Sequence, residues 1–280
     1  MKESPLVSII IPTHNRAVFL LEAVESVLRQ TYTNWELIII ADACTDNTFE
    51  VLEPYLQDDR ISFRETEQNL GGAGVRNLGL DMVKGDFICF LDDDDIWHQN
   101  KIQVQLSFLQ NNLDTFLVNC NFNQWFHTNK KKEIIMKSTV SHDELLVLNH
   151  IGSFSFVMVT ASELKQTRID ANLRSCQDWD LWTKLLRSSN ALAKNCNITL
   201  VDYRMQGQKK ISVNKKNVSS GYERWYKNNE NDMNSSLKEF HNTVIRIVKK
   251  KDLLKCIKLG LIFLTKNPTK LYLNILIAKR

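Results

Sequence analysis

Along the first hundred residues, short runs rich in β-branched and aromatic residues alternate with stretches of helical period. Residues 7–11, 35–40, 61–65 and 86–91 have the length and composition of strands. Between them, residues 19–30 place Leu20, Ala23, Val24, Val27 and Leu28 on one helical face, and residues 48–55 and 75–83 continue the alternation. Strands and helices alternating at this spacing predict βαβ units and a mostly parallel sheet flanked by helices.

Beyond Trp97 the pattern loosens. Residues 101–109 and 179–186 predict helices, and residues 116–126, 133–136, 154–159 and 198–203 predict strands. Residues 206–236, rich in Lys, Asn and Ser, are read as a polar loop or linker, and residues 237–280 as a basic amphipathic helical tail broken at Asn267-Pro268. The expected organisation is therefore an α/β domain over 1–205 in two halves, 1–97 and 98–205, then the linker and the tail.

Charge sharpens that division. The chain of 280 residues carries a net +4, yet residues 237–280 hold eleven Lys/Arg against two acidic residues, so the body is mildly acidic and the tail basic. Such a tail suits either packing on the catalytic domain or peripheral contact with an anionic membrane. It lacks a recognisable nucleic-acid-binding motif, so no nucleic-acid partner is expected. Six scattered cysteines without a CxxC pair fit a reducing compartment and argue against a zinc or thioredoxin-like site. The N-terminus has no signal-peptide pattern and no stretch offers 18 uncharged apolar residues, so a cytoplasmic protein is expected.

The chemistry concentrates where strands end. The apolar run Phe87-Ile88-Cys89-Phe90-Leu91 stops at four consecutive carboxylates, Asp92 to Asp95. In open α/β sheets the exit edge of the strands is where ligands bind. Adjacent carboxylates repel one another, and a hard cation such as Mg²⁺ or Mn²⁺ relieves that repulsion; a solvated acidic turn is the alternative. Asp42 leaves strand two at the same edge and suits either a nucleotide contact or a helix N-cap. Asp178, at a helix start, suits either an N-cap or a general base. The glycines of residues 69–79 match neither a dinucleotide fingerprint nor a Walker A loop, which argues against a Rossmann dehydrogenase and a P-loop NTPase.

Taken in order, six segments resemble family 2 glycosyltransferases of the GT-A fold. They are residues 7–16 (VSIIIPTHNR), 26–32 (SVLRQTY), 35–42 (WELIIIAD), 69–79 (NLGGAGVRNLG), 90–97 (FLDDDDIW) and 177–182 (QDWDLW). The resemblance implies a Rossmann-like GT-A sheet and an inverting, metal-dependent transfer of a sugar from a nucleoside diphosphate sugar, a UDP-sugar above all, to a hydroxyl acceptor such as a lipid-linked glycan. Surface polysaccharide or glycolipid synthesis is the setting it implies. By the same resemblance Asp92 and Asp94 form a DxD motif for Mn²⁺ or Mg²⁺, and Asp178 is the catalytic base. Pro12, Thr13, Asn15, Asp42, Asn69, Gly71, Arg76, Asp92 and Asp93 then contact the nucleotide sugar.

Two departures stand out. Ala41-Asp42-Ala43-Cys44 replaces the family's Asp-Asp-Gly-Ser, and Tyr203-Arg204 is followed by Met205-Gln206 where the family often has a histidine. They motivate a rival, a sugar-nucleotide binder with a degraded site. A metal-dependent nucleotidyltransferase is the other.

Overall fold

The computed structural model describes residues 4–125, 131–187, 189, 191–204 and 215–250. Its first half is a run of βαβ units: β1 (Val7–Thr13), α1 (Ala17–Leu28), β2 (Trp35–Ala41), α2 (Thr48–Leu52), β3 (Ile61–Glu65), α3 (Gly71–Met82) and β4 (Phe87–Phe90). β3, β2, β1 and β4 lie side by side and all parallel. Their apolar runs are continuous because helices cover both faces of such a sheet, and every residue of β1 and β4 is buried.

The chain leaves β1 toward β2 and β3, then returns to place β4 on β1's other side. That reversal opens a crevice at the carboxyl ends of β1 and β4, the usual ligand position in an open α/β sheet.

The second half extends the same sheet with mixed pairing. It comprises β5 (Ile96–Trp97), α4 (Lys101–Asn111), β6 (Leu117–Trp125), β7 (Lys131–Ile134), β8 (Thr139–Val140), α5 (His142–Leu145), β9 (Met158–Thr160), α6 (Ala161–Leu164), α7 (Gln177–Arg187) and β10 (Ala193–Arg204). β9 pairs antiparallel with both β4 and β6, while β10 runs parallel to β6 and antiparallel to β5. Residues 154–159, expected as one strand, split into a 3-10 turn at Phe154–Phe156 and the short β9. The turn buries both Phe rings and turns Ser153 and Ser155 toward the acidic loop.

After β10 come two helices, α8 (Lys215–Asn229) and α9 (Ser235–Lys250). α8 corrects the reading of 206–236 as a polar loop: Tyr222, Trp225 and Tyr226 share one helical face, and that face is packed on the core. The remainder of the expected tail, residues 251–280, lies outside the described residues; among the described residues no helix is long and apolar enough to cross a membrane.

Candidate active site

Asp92 to Asp95 leave β4 into the crevice, each with its own environment. Asp95, fully buried, anchors the turn from within: Ser155 Oγ donates to it at 2.6 Å and the Arg204 backbone N–H at 3.3 Å. Asp93 is also buried and receives Thr13 Oγ1 from β1 at 2.9 Å and the Arg16 guanidinium at 2.9 Å. Its carboxyl is pushed up to about 6, chiefly by burial, with Arg16 opposing and Asp94 adding to the shift. Asp94 also meets Arg16, at 3.3 Å. Asp92, the most exposed of Asp92, Asp93 and Asp94, pairs with Arg76 and accepts from Ser153 Oγ at 3.2 Å.

Arg76 projects from α3 with its guanidinium 4.3 Å above the Phe154 ring. It also donates to Gln177 Oε1 at 3.3 Å, which links α3 to α7. Gln177 starts that helix and Asp178 follows inside its first turn, so the N-cap reading of Asp178 does not hold. The cap position belongs to Cys176, whose carbonyl accepts from Asp180 N at 2.9 Å. Asp178 is half-buried and its carboxyl is pushed up to about 6. Burial is the main cause; the Trp179 N–H and Arg76 pull it down, and the Asp92 charge pushes it up. The Tyr203 phenol is held well above its ordinary range by burial and then by Asp95, Asp94, Asp92 and Asp178, so it faces the same acidic group.

At the neighbouring strand exits, Asp42 serves the helix-capping alternative. Both of its oxygens receive backbone N–H groups at the start of α3, from Leu70 at 2.6 Å and Gly71 at 2.9 Å. Gly71 has φ +74°, a conformation natural to glycine. Asn15 ties the β1 exit to the β2 exit, its Oδ1 accepting from Thr45 N at 2.7 Å and Asp46 N at 3.2 Å. Asn69 is exposed, 3.4 Å from the His14 ring, and Pro12 is buried within β1 opposite Ile40.

The acidic loop, Thr13, Arg76 and Asp178 thus converge on one crevice, with Asp42, Asn15, Asn69 and Gly71 along its rim at the β1 and β2 exits. Arg16, Ser153, Ser155, Gln177 and Tyr203 join them without having been singled out from the sequence. Arg16 carried one legible signal, a cation just after a strand exit facing a carboxylate run. The serines carried none, since a turn sixty residues away brings them in.

The donor set suits a hard divalent cation of the open kind. Asp92 and Asp94 supply carboxylate oxygens, while among the described residues no group of three or more His, Cys, Asp or Glu encloses an ion. Mg²⁺ commonly takes one or two carboxylates and completes its shell with substrate phosphates and water, and Mn²⁺ accepts the same ligands.

The chain is 34% identical over 211 residues to the UDP-Glc:alpha-D-GlcNAc-diphosphoundecaprenol beta-1,3-glucosyltransferase WfgD of Escherichia coli, covering 75% of this chain and 81% of that protein. Its fold is similar to S. aureus TarS 1–349 in complex with UDP-GlcNAc (TM-score 0.68, 17% identity, 88% of this chain and 73% of that one). It is also similar to the mannosyltransferase PcManGT of Pyrobaculum calidifontis in complex with GDP-Man and Mn²⁺ (TM-score 0.63, 14% identity, 82% and 65%). A sequence model of the family described as Glycosyl transferase family 2 matches residues 8–164, and with that match the chain belongs to the family 2 glycosyltransferases, built on the GT-A fold.

Proposed function

We propose that this glycosyltransferase moves a sugar from a UDP-sugar to a hydroxyl of a lipid-linked glycan, with inversion at the anomeric carbon. The observation that carries the proposal is Asp178: a half-buried carboxyl poised at about 6, across the crevice from Asp92 and Arg76. A base with that affinity is ionised at neutral pH yet still takes up a proton as a bond forms.

Asp178 accepts the acceptor's hydroxyl proton as that oxygen bonds to the anomeric carbon. The bond from that carbon to the diphosphate oxygen breaks on the opposite face, so one displacement inverts the centre. The transition state resembles an oxocarbenium ion, as in glycoside hydrolysis. Asp94 and Asp92 would hold Mn²⁺ or Mg²⁺, which when bound supplies Lewis-acid stabilisation of the departing diphosphate. Arg76 and Arg16 add positive charge beside that leaving group. The crevice wall made by Thr13, Asn15, Asn69 and Gly71 receives the nucleotide, with Asp42 holding the start of α3 in place.

The donor class is supported by WfgD, named for UDP-Glc, and TarS, bound to UDP-GlcNAc. The acceptor class is supported by the diphosphoundecaprenol in WfgD's name. A lipid-linked acceptor fits a protein working on the cytoplasmic face of a membrane, with residues 251–280 as the contact.

The test is nucleoside diphosphate release from a panel of sugar nucleotides, with Mn²⁺ or EDTA, using wild type and Asp178→Asn. Metal-dependent release with one donor, lost in the variant, is expected. Saturable donor binding without release, across varied acceptors, would replace this proposal with a degraded, binding-only site. Pyrophosphate release would point to a nucleotidyltransferase.

A further inference from the structure

The candidate base sits behind a strained turn. Cys176, the cap residue just before α7, has φ +60° although it is not glycine. A left-handed conformation at such a residue is strained and persists only where its surroundings enforce it. Here the enforcing surroundings are α8 and α9, which lie beyond the stretch matched by the family model.

α8 presses on the turn with its backbone. Ser175 Oγ donates to the Asn217 carbonyl at 3.0 Å. A Cβ placed on Gly221 would stand 2.3 Å from Ser175 Oγ, 2.6 Å from its carbonyl oxygen and 2.8 Å from its nitrogen, so no side chain fits between α8 and the turn. One turn of α8 further on, the Trp225 ring stacks on Trp179, the residue after Asp178, with centroids 3.8 Å apart and planes at 25°. Further along, Asn228 donates at 3.1 Å to the buried Asp180 carboxylate.

α9 locks α8 in place. His241 is fully buried and kept neutral by burial, which pushes it down to about 4. Its Nε2–H donates to the Leu146 carbonyl at 2.8 Å and its Nδ1 accepts from the Tyr222 hydroxyl at 2.6 Å.

We infer that the helix pair α8–α9 is a brace for the catalytic base, in which Gly221 and Trp225 position Asp178 through Ser175 and Trp179. The inference rests on the base role proposed above. A reacting group displaced by about 1 Å can cost roughly a hundredfold in rate, so a brace that fixes the first turn of α7 acts on turnover more than on donor binding.

The experiment compares wild type, Gly221→Ala, Ser175→Ala and Asp178→Asn. It measures kcat, donor KM and hydrogen exchange of the amides of residues 172–180. Gly221→Ala is expected to lower kcat about tenfold or more with donor KM changed by less than about twofold, and to speed exchange across the turn. Ser175→Ala, which adds no bulk and loses the Oγ contacts to the Asn217 carbonyl and Cys176 Sγ, is expected to move both in the same direction by less. Faster exchange with unchanged kcat would make the helices a purely structural contact and overturn the positioning role. Unchanged exchange in both variants would overturn the brace itself. If Gly221→Ala does not fold, Ser175→Ala decides alone, and wild-type values there overturn the inference. Full activity of Asp178→Asn would remove the base, and with it the positioning role. Faster exchange in Gly221→Ala would still report the clamp, which separates the two failures.

Discussion

The carboxylate of Asp42 accepts the backbone N–H of Gly71 at 2.9 Å, so a residue at the end of one strand closes the start of a helix 29 residues later. With the Leu70 N–H it satisfies two of the four donors that an α-helix leaves open at its N-terminus. Asp42→Ala should cost roughly 1–2 kcal/mol, the usual loss for a helix cap. In a domain of this size that lowers Tm by about 2–8 °C. The check is a thermal melt followed by circular dichroism, with donor affinity measured alongside. An unchanged Tm would show that α3 does not depend on Asp42.

Asp178→Asn should reduce kcat by about 10²- to 10⁴-fold while leaving donor binding in place. In wild type kcat should fall as pH drops through about 6, because the base becomes protonated. The residual rate of the variant should lack that limb. A wild-type rate that stays flat from pH 5 to pH 8 would disqualify Asp178 as the base.

The same raised carboxyl makes a stability prediction. A group with a higher proton affinity in the folded chain contributes stability below the ordinary aspartate range and loses it as pH rises through about 6. At pH 7.5 the ionised Asp178 is therefore a burden, and Asp178→Asn should be more stable than wild type by about 1–3 kcal/mol. The gap should close toward pH 4. Melting curves of both proteins over that range test it, and a variant less stable at pH 7.5 would contradict the sign.

Arg16 lies between Asp93 and Asp94 at 2.9 and 3.3 Å. Arg16→Gln leaves two neighbouring carboxylates without that cation and should destabilise the fold by about 1–3 kcal/mol. Added Mn²⁺ should then raise Tm more in the variant than in wild type, because the ion meets less competition for Asp94. Differential scanning fluorimetry with and without Mn²⁺ reads this directly. Equal Mn²⁺ shifts would place the ion away from Arg16's partners.

The basic C-terminus is best tested by ending the chain after Lys250. Removing everything from residue 237 would also strip Leu237, His241 and Ile245 from the packed core. Residues 251–280 hold seven Lys/Arg and one acidic residue. The shortened chain should keep its Tm and lose binding to phosphatidylglycerol liposomes in a flotation assay, each surface-proximal cation being worth about 1 kcal/mol. Undiminished binding would assign membrane contact elsewhere.

The parallel half of the sheet was legible because strands buried on both faces must be mostly apolar, as residues 7–11 and 35–40 are apart from Ser8 and Glu36. The acidic turn was legible for the converse reason, since four carboxylates cannot continue a buried strand. What the sequence hid was carried by few residues among many polar ones. α8 reads as Lys, Asn and Ser, yet Tyr222, Trp225 and Tyr226 at spacings of three and four suffice to dock it. Phe154-Ser155-Phe156 alternates like a strand, but its serine is buried for hydrogen bonds to the acidic turn. The choice between capping and nucleotide contact at Asp42, and between capping and base catalysis at Asp178, depends on which backbone N–H groups lie within reach, a three-dimensional fact.

β5 follows the acidic turn directly, yet its ladder partner is β10, and the Asp95 carboxylate is met by the backbone of Arg204, 109 residues later. During synthesis the carboxylate run therefore leaves the ribosome long before the strand that secures it. Closure of that loop belongs to the last stage of folding, when local pairings already exist and one distant partner remains to be found. A chain that stops short of β10 would still hold the residues that meet the turn from β1 and the 3-10 turn, Thr13, Arg16, Ser153 and Ser155, and would lack the β5 ladder and the Arg204 N–H on Asp95. The far side of the acidic turn is thus completed by a strand close to the end of the sheet-forming sequence, so the turn joins the two extremes of that sequence in one contact.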